Sequence, residues 1–459
     1  MTQDHHSSHS QWSSKIGFLM AAVGSAVGLG SIWKFPYMTG EFGGSAFVIL
    51  FIVSITLIGF PVLVAEWMIG RRGQSNPIDS FQKVAVQENA SQGWRWLGGL
   101  GVLASFLILS FYSVIGGWAL NYIAKTGTNT FHGMDGKATE AVFNAMLASP
   151  SELTIWHTGF MILTALIVAG GVSGGIERAS KWLMPALAVI MVVIVGYNLF
   201  NAEFAKGFWY LFDFNFAKMQ EVGVGKVLIA ALGHAFFCLS LGMGIMVAYG
   251  SYLKSDVNLL STARTVIVWD VIFSLMAGLA IFPIIFSNGL DPAGGPGLVF
   301  VSLPIAFGKM SVGLVVGTLF FMLLTFAALT SSISLLEPIV ALLEEKTSLN
   351  RMPSTIIAAV ATWLLGIAAL LSFNVWGDIT ILPKMNIFDS LDYATSRIML
   401  PLVGLGTMIL VAWRMNQPNI KAELGLSDSQ WSIWQITTKY IAPIGIVAVF
   451  IAQIVGYGA

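Results

Sequence analysis

The chain has 459 residues, 56% hydrophobic and only 10% charged, with 23 basic against 23 acidic side chains and a mean hydropathy of +0.79. Soluble domains carry about 25% charged residues, so a water-exposed globular protein is excluded, and nucleic-acid binding is excluded for want of a basic face. A single cysteine excludes a disulfide framework and a cysteine-built metal site, which leaves a polytopic membrane protein.

In chain order, residues 1–11, beginning MTQDHHSSHS, read as a polar, disordered tail. They are not a signal peptide, because the apolar stretch that follows is too long and has no small-residue cleavage site. A window of about 20 apolar residues then predicts eleven membrane helices, near 15–39, 42–70, 96–124, 153–170, 178–199, 226–250, 259–287, 311–343, 354–373, 386–413 and 436–457. Segments 125–152 and 288–310 read as structured loops on one side. Sorting Lys and Arg by loop puts fourteen on the side of the amino terminus and seven on the other. That bias predicts a cytoplasmic amino terminus and an external carboxy terminus.

Two of these spans are interrupted. The first, GSAVGLGSIWKFPY, contains Gly28-Leu29-Gly30, and the sixth, FFCLSLGMGIMVAYG, contains Gly242-Met243-Gly244. Paired glycines invite unwinding, although glycines also serve close packing between membrane helices. Matched interruptions five spans apart favour unwinding, and unwound backbone at membrane depth points to a midplane binding site. Glu66, in VLVAEWMIG, is either a partner for the freed N–H groups or a carboxylate reaching water from its helix end. Gly175 and Pro185 bracket the start of the fifth span, where proline removes a helix bond and predicts either a plain kink or an end that unwinds.

The stretches WSSKIGFLMAAVGSAVGLGSIWKFPY, GGSAFVILF, GFPVLVAEWMIGR, FFCLSLGMG and ALTSSIS together resemble the neurotransmitter:sodium symporter family, from Trp12 to about Asp392, and in particular its bacterial amino-acid members. The resemblance implies an all-α membrane protein of the LeuT fold, with two five-helix inverted repeats, 12–199 and 226–414, and discontinuous helices 1 and 6. An external loop at 200–225 and an accessory eleventh helix in 415–459 complete it. It further implies sodium-coupled import of an amino acid by alternating access, in the bacterial cytoplasmic membrane, with lipid around it. No enzymatic activity, organic cofactor or obligate protein partner is expected.

Carried onto this chain, the resemblance assigns the substrate carboxylate to the N–H groups of Leu29 and Gly30 and the Tyr112 hydroxyl. The amine falls to the carbonyls of Ala26, Phe237 and Cys238, with Ser240. Ile108, Tyr112, Phe237, Ser240, Met243, Ser331 and Leu335 would line the side-chain pocket; on the residues alone, Tyr112 and Phe237 read first as packing aromatics. Gly28 stands where monoamine-carrying members have an aspartate, which implies a substrate that brings its own carboxylate. Met243, flexible where others have an aromatic, implies tolerance of aliphatic and aromatic side chains, hence a neutral hydrophobic L-amino acid.

Two sodium sets follow from the same resemblance, since Na+ seeks oxygen ligands. One comprises Ala26, Ser31, Cys238, Asp270 and the substrate carboxylate. The other comprises Gly24, Val27, Ala327, Thr330 and Ser331, although Ser/Thr hydroxyls in helices also bond their own backbone. Cys238 replaces a threonine or serine and offers a poor thiol ligand, or is small apolar filler. Asp270 replaces the asparagine of many members and implies chloride-independent transport, with proton antiport when it protonates on the empty return.

The outer gate would join Lys34, in place of arginine, to Asp392, with His234 between them and Trp33 and Phe237 as an apolar lid. His234 is either a proton-sensitive element or a neutral hydrogen-bonding one. Trp12, Ser251, Tyr252 and Glu345 match inner-gate positions, with His9 where a basic residue is expected. The histidines form no catalytic or metal cluster. A channel would need a continuous polar pore; the nearer alternative is a carrier of the same fold for another amino acid, such as tyrosine.

Overall fold

The computed structural model describes residues 11–214, 216–295 and 297–454, so the tail reading for 1–11 and the end of the last span fall largely outside the described residues. Among the described residues all regular elements are helices, and the only β contact is one isolated bridge between Leu382 and Met385. Nine helices are long and apolar enough to cross a membrane, and the pair Lys15–Ala26 and Gly30–Glu41, bent by 43°, makes a tenth span. Val224–Cys238 and Ile245–Ser251 are each too short, but in series they form the second broken span, consistent with the eleven predicted.

Local chemistry sets the helix ends. Ser14 caps the first helix by accepting from the Gly17 N–H at 3.0 Å, which satisfies one of the orphan donors of a helix start. Asn258 does the same for Leu259–Ser287 through Ser261 N–H at 2.9 Å. Two boundaries differ from the hydropathy reading. The fifth span starts at Val172 with the wide turn Val172–Glu177, not near 178. The eleventh starts at Asp428 behind a Ser427–Gln430 capping box, not near 436. In both cases polar residues lie inside a backbone-bonded helix, where an apolarity window is blind. The segment 200–225, read as a loop, carries the helices Phe204–Phe212 and Phe216–Val222. Arg178–Asn201 is helical through Pro185 and follows directly on the wide turn Val172–Glu177, which contains Gly175.

The most extensive helix packing joins Gln92–Gly127 to Gly313–Lys346, the third and eighth spans. Lys15–Ala26 lies against the eighth and fifth spans, Ile245–Ser251 against Phe60–Gly73, and Val224–Cys238 against Ser45–Ser54. These three half-helices are therefore each braced by an unbroken neighbour, and the two breaks meet directly beside the eighth span.

Candidate substrate and sodium site

The breaks release backbone groups that an intact helix would consume. In the first span, Gly28 N–H donates to Ala26 O at 3.0 Å and Leu29 N–H to the Tyr112 hydroxyl at 3.2 Å. The carbonyls four residues earlier, Gly24 and Ser25, are freed as a result. In the sixth span, Ser240, Gly242 and Gly244 all adopt left-handed backbone, with φ of 54°, 75° and 72°. Glycine takes that conformation without a Cβ penalty, and at Gly242 a Cβ would also stand 2.6 Å from Leu400 O. Glu66 is fully buried and accepts the Gly242 N–H at 2.8 Å, while its other oxygen has no partner among the described residues. Of its two readings, the geometry matches the helix-break partner.

Between the breaks lies a pocket lined by Ser25, Ala26, Gly28, Gly30, Ile108, Tyr112, Phe237, Ser240, Met243, Ser331 and Leu335. Every residue assigned to the substrate borders it except Leu29 and Cys238. Leu29 instead turns its N–H to Tyr112, and Cys238 faces the Ser31 hydroxyl. The free space is about 20 Å³, room for roughly one water molecule, so the pocket is closed tightly around its own side chains. Ser331 Oγ lies 2.1 Å from where a Gly28 Cβ would be, and the Tyr112 hydroxyl 3.0 Å from it. Ser25, which sequence reasoning missed, ties the two breaks together: its carbonyl accepts from Ser240 at 3.0 Å and from Ser331 at 3.2 Å.

The first sodium set converges on one hydroxyl. Ser31 Oγ donates to Asp270 Oδ1 at 2.6 Å and lies 3.2 Å from Ala26 O and 3.8 Å from Cys238 Sγ. Asp270 is fully buried and its second oxygen has no partner among the described residues. A buried carboxylate with a spare oxygen beside a hydroxyl and a carbonyl suits a small hard cation. In the second set, Thr330 packs against Gly24, its Cβ 3.3 Å from the Cβ position there. Thr330 donates within its own helix, to Ala327 O at 3.0 Å, whereas Ser331 reaches across to the first span. Val27 ends the first half-helix with ψ of 73°, outside helical values.

The gate residues divide. Lys34, His234, Phe237 and Asp392 all border one open vestibule of about 330 Å³. Phe237 also lines the inner pocket and so separates the two spaces. Lys34 and Asp392 form no ion pair: the ammonium sits 4.5 Å over the Phe237 ring, and Asp392 accepts from Ser396 at 2.8 Å. A lysine's point charge has no planar fork to fix it on a carboxylate, and an aromatic face competes for it. Trp33 packs edge-on against Tyr37 and Phe300 at 5.8 and 6.3 Å. His234 sits among Phe35, Phe47 and Phe51, its Nε2 3.2 Å from Cys238 Sγ.

At the opposite end, Trp12 is buried, its indole donating to Tyr249 O at 3.0 Å and its N–H to Tyr252 O at 3.3 Å. Ser251 donates to Ala248 O, and Glu345 accepts from the Asn76 backbone and side chain at 2.9 and 2.7 Å. Tyr252 donates to Glu337 at 2.7 Å, and Glu337 pairs with Arg351. Glu177 accepts from Ser13 N–H at 2.8 Å, from both Ser13 and Ser14 hydroxyls, and from Lys181 at 2.6 Å. The sequence reading missed Glu177 and Glu337; Glu337 is an acid inside the predicted eighth span, the same signal that singles out Glu66, whereas Glu177 lies just outside the predicted fifth span and carries no such signal.

Two interrupted helices that turn freed backbone and hydroxyls onto a closed central pocket define a secondary carrier of the discontinuous-helix class. The model of the Sodium:neurotransmitter symporter family matches residues 9–139 and 139–459, and the chain belongs to that family, a sodium-dependent membrane transporter and not an enzyme. It is 37% identical over 445 residues to an uncharacterized sodium-dependent transporter of Bacillus subtilis, covering 96% of this chain and 97% of the relative. It is 35% identical over 455 residues to another from Haemophilus influenzae, covering 96% and 98%. The crystal structure of MhsT in complex with L-phenylalanine superposes with a TM-score of 0.88 at 43% identity, covering 97% of this chain and 99% of that one. The all-helical LeuT fold follows from that likeness.

Proposed function

We propose that this transporter imports neutral hydrophobic L-amino acids with Na+ by alternating access. The observation that carries the reading is the pocket wall. Gly28, Gly30 and the Tyr112 hydroxyl leave a polar corner without a fixed charge for the substrate carboxylate, while Ile108, Met243 and Leu335 offer an apolar surface without a charge. A similar structure holding L-phenylalanine supports the same substrate class. Two sodium ions are carried, one at Ala26, Ser31, Cys238 and Asp270 and one at Gly24, Val27, Ala327, Thr330 and Ser331. The substrate carboxylate completes the first, so each ligand strengthens the other's binding by the same factor.

Asp270 supplies the negative charge that chloride would otherwise bring, so transport is chloride-independent, and its protonation on the empty return exports a proton. The two repeats, 12–199 and 226–414, rock about the pocket, with 415–459 accessory to them. The amino terminus is cytoplasmic and the membrane is the bacterial inner one, in keeping with the lysine and arginine bias. Lys34, Asp392, His234 and Phe237 then form the outer gate, and Trp12, Ser251, Tyr252 and Glu345 the inner one. Competition of the twenty amino acids against sodium-driven uptake, with chloride replaced by gluconate, tests this. Leucine, isoleucine, phenylalanine, tryptophan and tyrosine are expected to compete without chloride. Competition by charged amino acids, by amines lacking a carboxylate, or by tyrosine alone would overturn the substrate class, and chloride stimulation would overturn the role of Asp270.

A further inference from the structure

An open groove of about 690 Å³ lies between the start of the third span and the end of the tenth, lined among others by Glu88, Ser91, Trp94, Trp96, Trp413 and Arg414. It belongs to the Trp12 end of the molecule: nearby Arg71 donates to Val257 O, next to Asp256, which pairs with Lys15. Arg95 opens the helix Arg95–Gly127 and Arg414 closes Leu410–Arg414, so both stand where apolar spans emerge from the membrane.

The charges of this corner do not cancel. Arg71 and Arg72 are matched by Glu423 and Glu88, all four in ion pairs, and Glu88 also accepts the Asn416 N–H at 2.7 Å. The carboxylate that borders the groove is therefore neutralised. Arg414 has no hydrogen bond or ion pair among the described residues, and Arg95 only overlies the Trp96 ring at 5.5 Å. The exposed Arg414 thus lines the groove, and the exposed Arg95 reaches it over the ring of Trp96, one of two exposed lining indoles, Trp96 at 72% and Trp413 at 48% exposure. Indoles favour the headgroup level of a bilayer, and guanidinium groups favour phosphate oxygens.

We propose that this groove binds the headgroup of an anionic phospholipid, its phosphate between Arg95 and Arg414 and its acyl chains descending past Trp96 and Leu97. Each basic residue near a membrane surface favours an anionic lipid about fivefold, so the pair should give a preference of roughly tenfold or more over a zwitterionic lipid.

Native mass spectrometry of the purified full chain tests this by titration with phosphatidylglycerol, with phosphatidylcholine of the same acyl chains, and with inorganic phosphate. The wild type should retain phosphatidylglycerol roughly tenfold better than phosphatidylcholine. The Arg95→Gln/Arg414→Gln variant should lose that preference, whereas Arg95→Lys/Arg414→Lys and a control Arg264→Gln should keep most of it. Equal retention of the two lipids, a preference that survives the glutamine pair, or displacement of phosphatidylglycerol by millimolar inorganic phosphate would each overturn the assignment.

Discussion

Glu66 and Gly242 give the sixth-span break its support, and removing the carboxylate leaves a buried N–H without a partner. An unmade buried hydrogen bond costs about 1–3 kcal/mol. Glu66→Ala should therefore lower the thermal midpoint of the purified protein by several degrees and abolish substrate binding, while Glu66→Gln, which keeps an acceptor oxygen, should recover most of the stability. Gly28 faces Ser331 Oγ at 2.1 Å from its missing Cβ. Gly28→Ala should cut amino-acid binding more than tenfold in an equilibrium binding assay; retained affinity would show that the pocket relaxes around a side chain. At the first sodium set, Cys238→Ser exchanges a soft thiol for a hydroxyl ligand. It should lower the sodium concentration for half-maximal uptake by roughly fivefold, the worth of about 1 kcal/mol. An unchanged value would assign Cys238 to packing, with only its carbonyl on the ion.

The breaks were legible as elements because paired glycines mark them in the sequence: Gly242 and Gly244 carry the unwinding in their own left-handed backbone, while Gly28 and Gly30 make room for side chains of neighbouring helices. Asp270 and Glu66 were legible because a carboxylate within an apolar span needs a partner. Elements that depend on distant neighbours were not. The packing of Trp33 on Phe300 is set by the turn Leu298–Ser302, which enters from a segment between spans. Lys34 prefers the Phe237 face to Asp392 for a reason of geometry that residue identity does not reveal. Glu177 is the most consequential of these. It ties the amino-terminal strap to the first turn of the fifth span, and Gly17 is its cradle, since a Cβ there would lie 2.0 Å from Glu177 Oε1. Glu177→Ala should free both partners together. Hydrogen exchange at residues 12–18 and 172–180 should quicken by about tenfold or more in parallel, the loss of roughly 1–3 kcal/mol of charged hydrogen bonding. Acceleration of one segment alone would show that they are not coupled.

At the scale of the whole molecule, the third and eighth spans form the frame on which the two broken helices meet, and the closed pocket lies between a capped end at Trp12 and an open vestibule at Lys34. On the proposed reading, substrate and Na+ share that pocket's edge, and binding of each strengthens binding of the other. Coupling is the central claim, and accumulation measures it directly. Proteoliposomes holding the purified protein, given labelled L-phenylalanine and an inward sodium gradient, should concentrate the amino acid transiently above its external level. The excess should vanish when the gradient is collapsed or when Na+ is replaced by K+. Uptake that stops at the equilibrium level, or that runs equally well on K+, would contradict sodium-coupled symport.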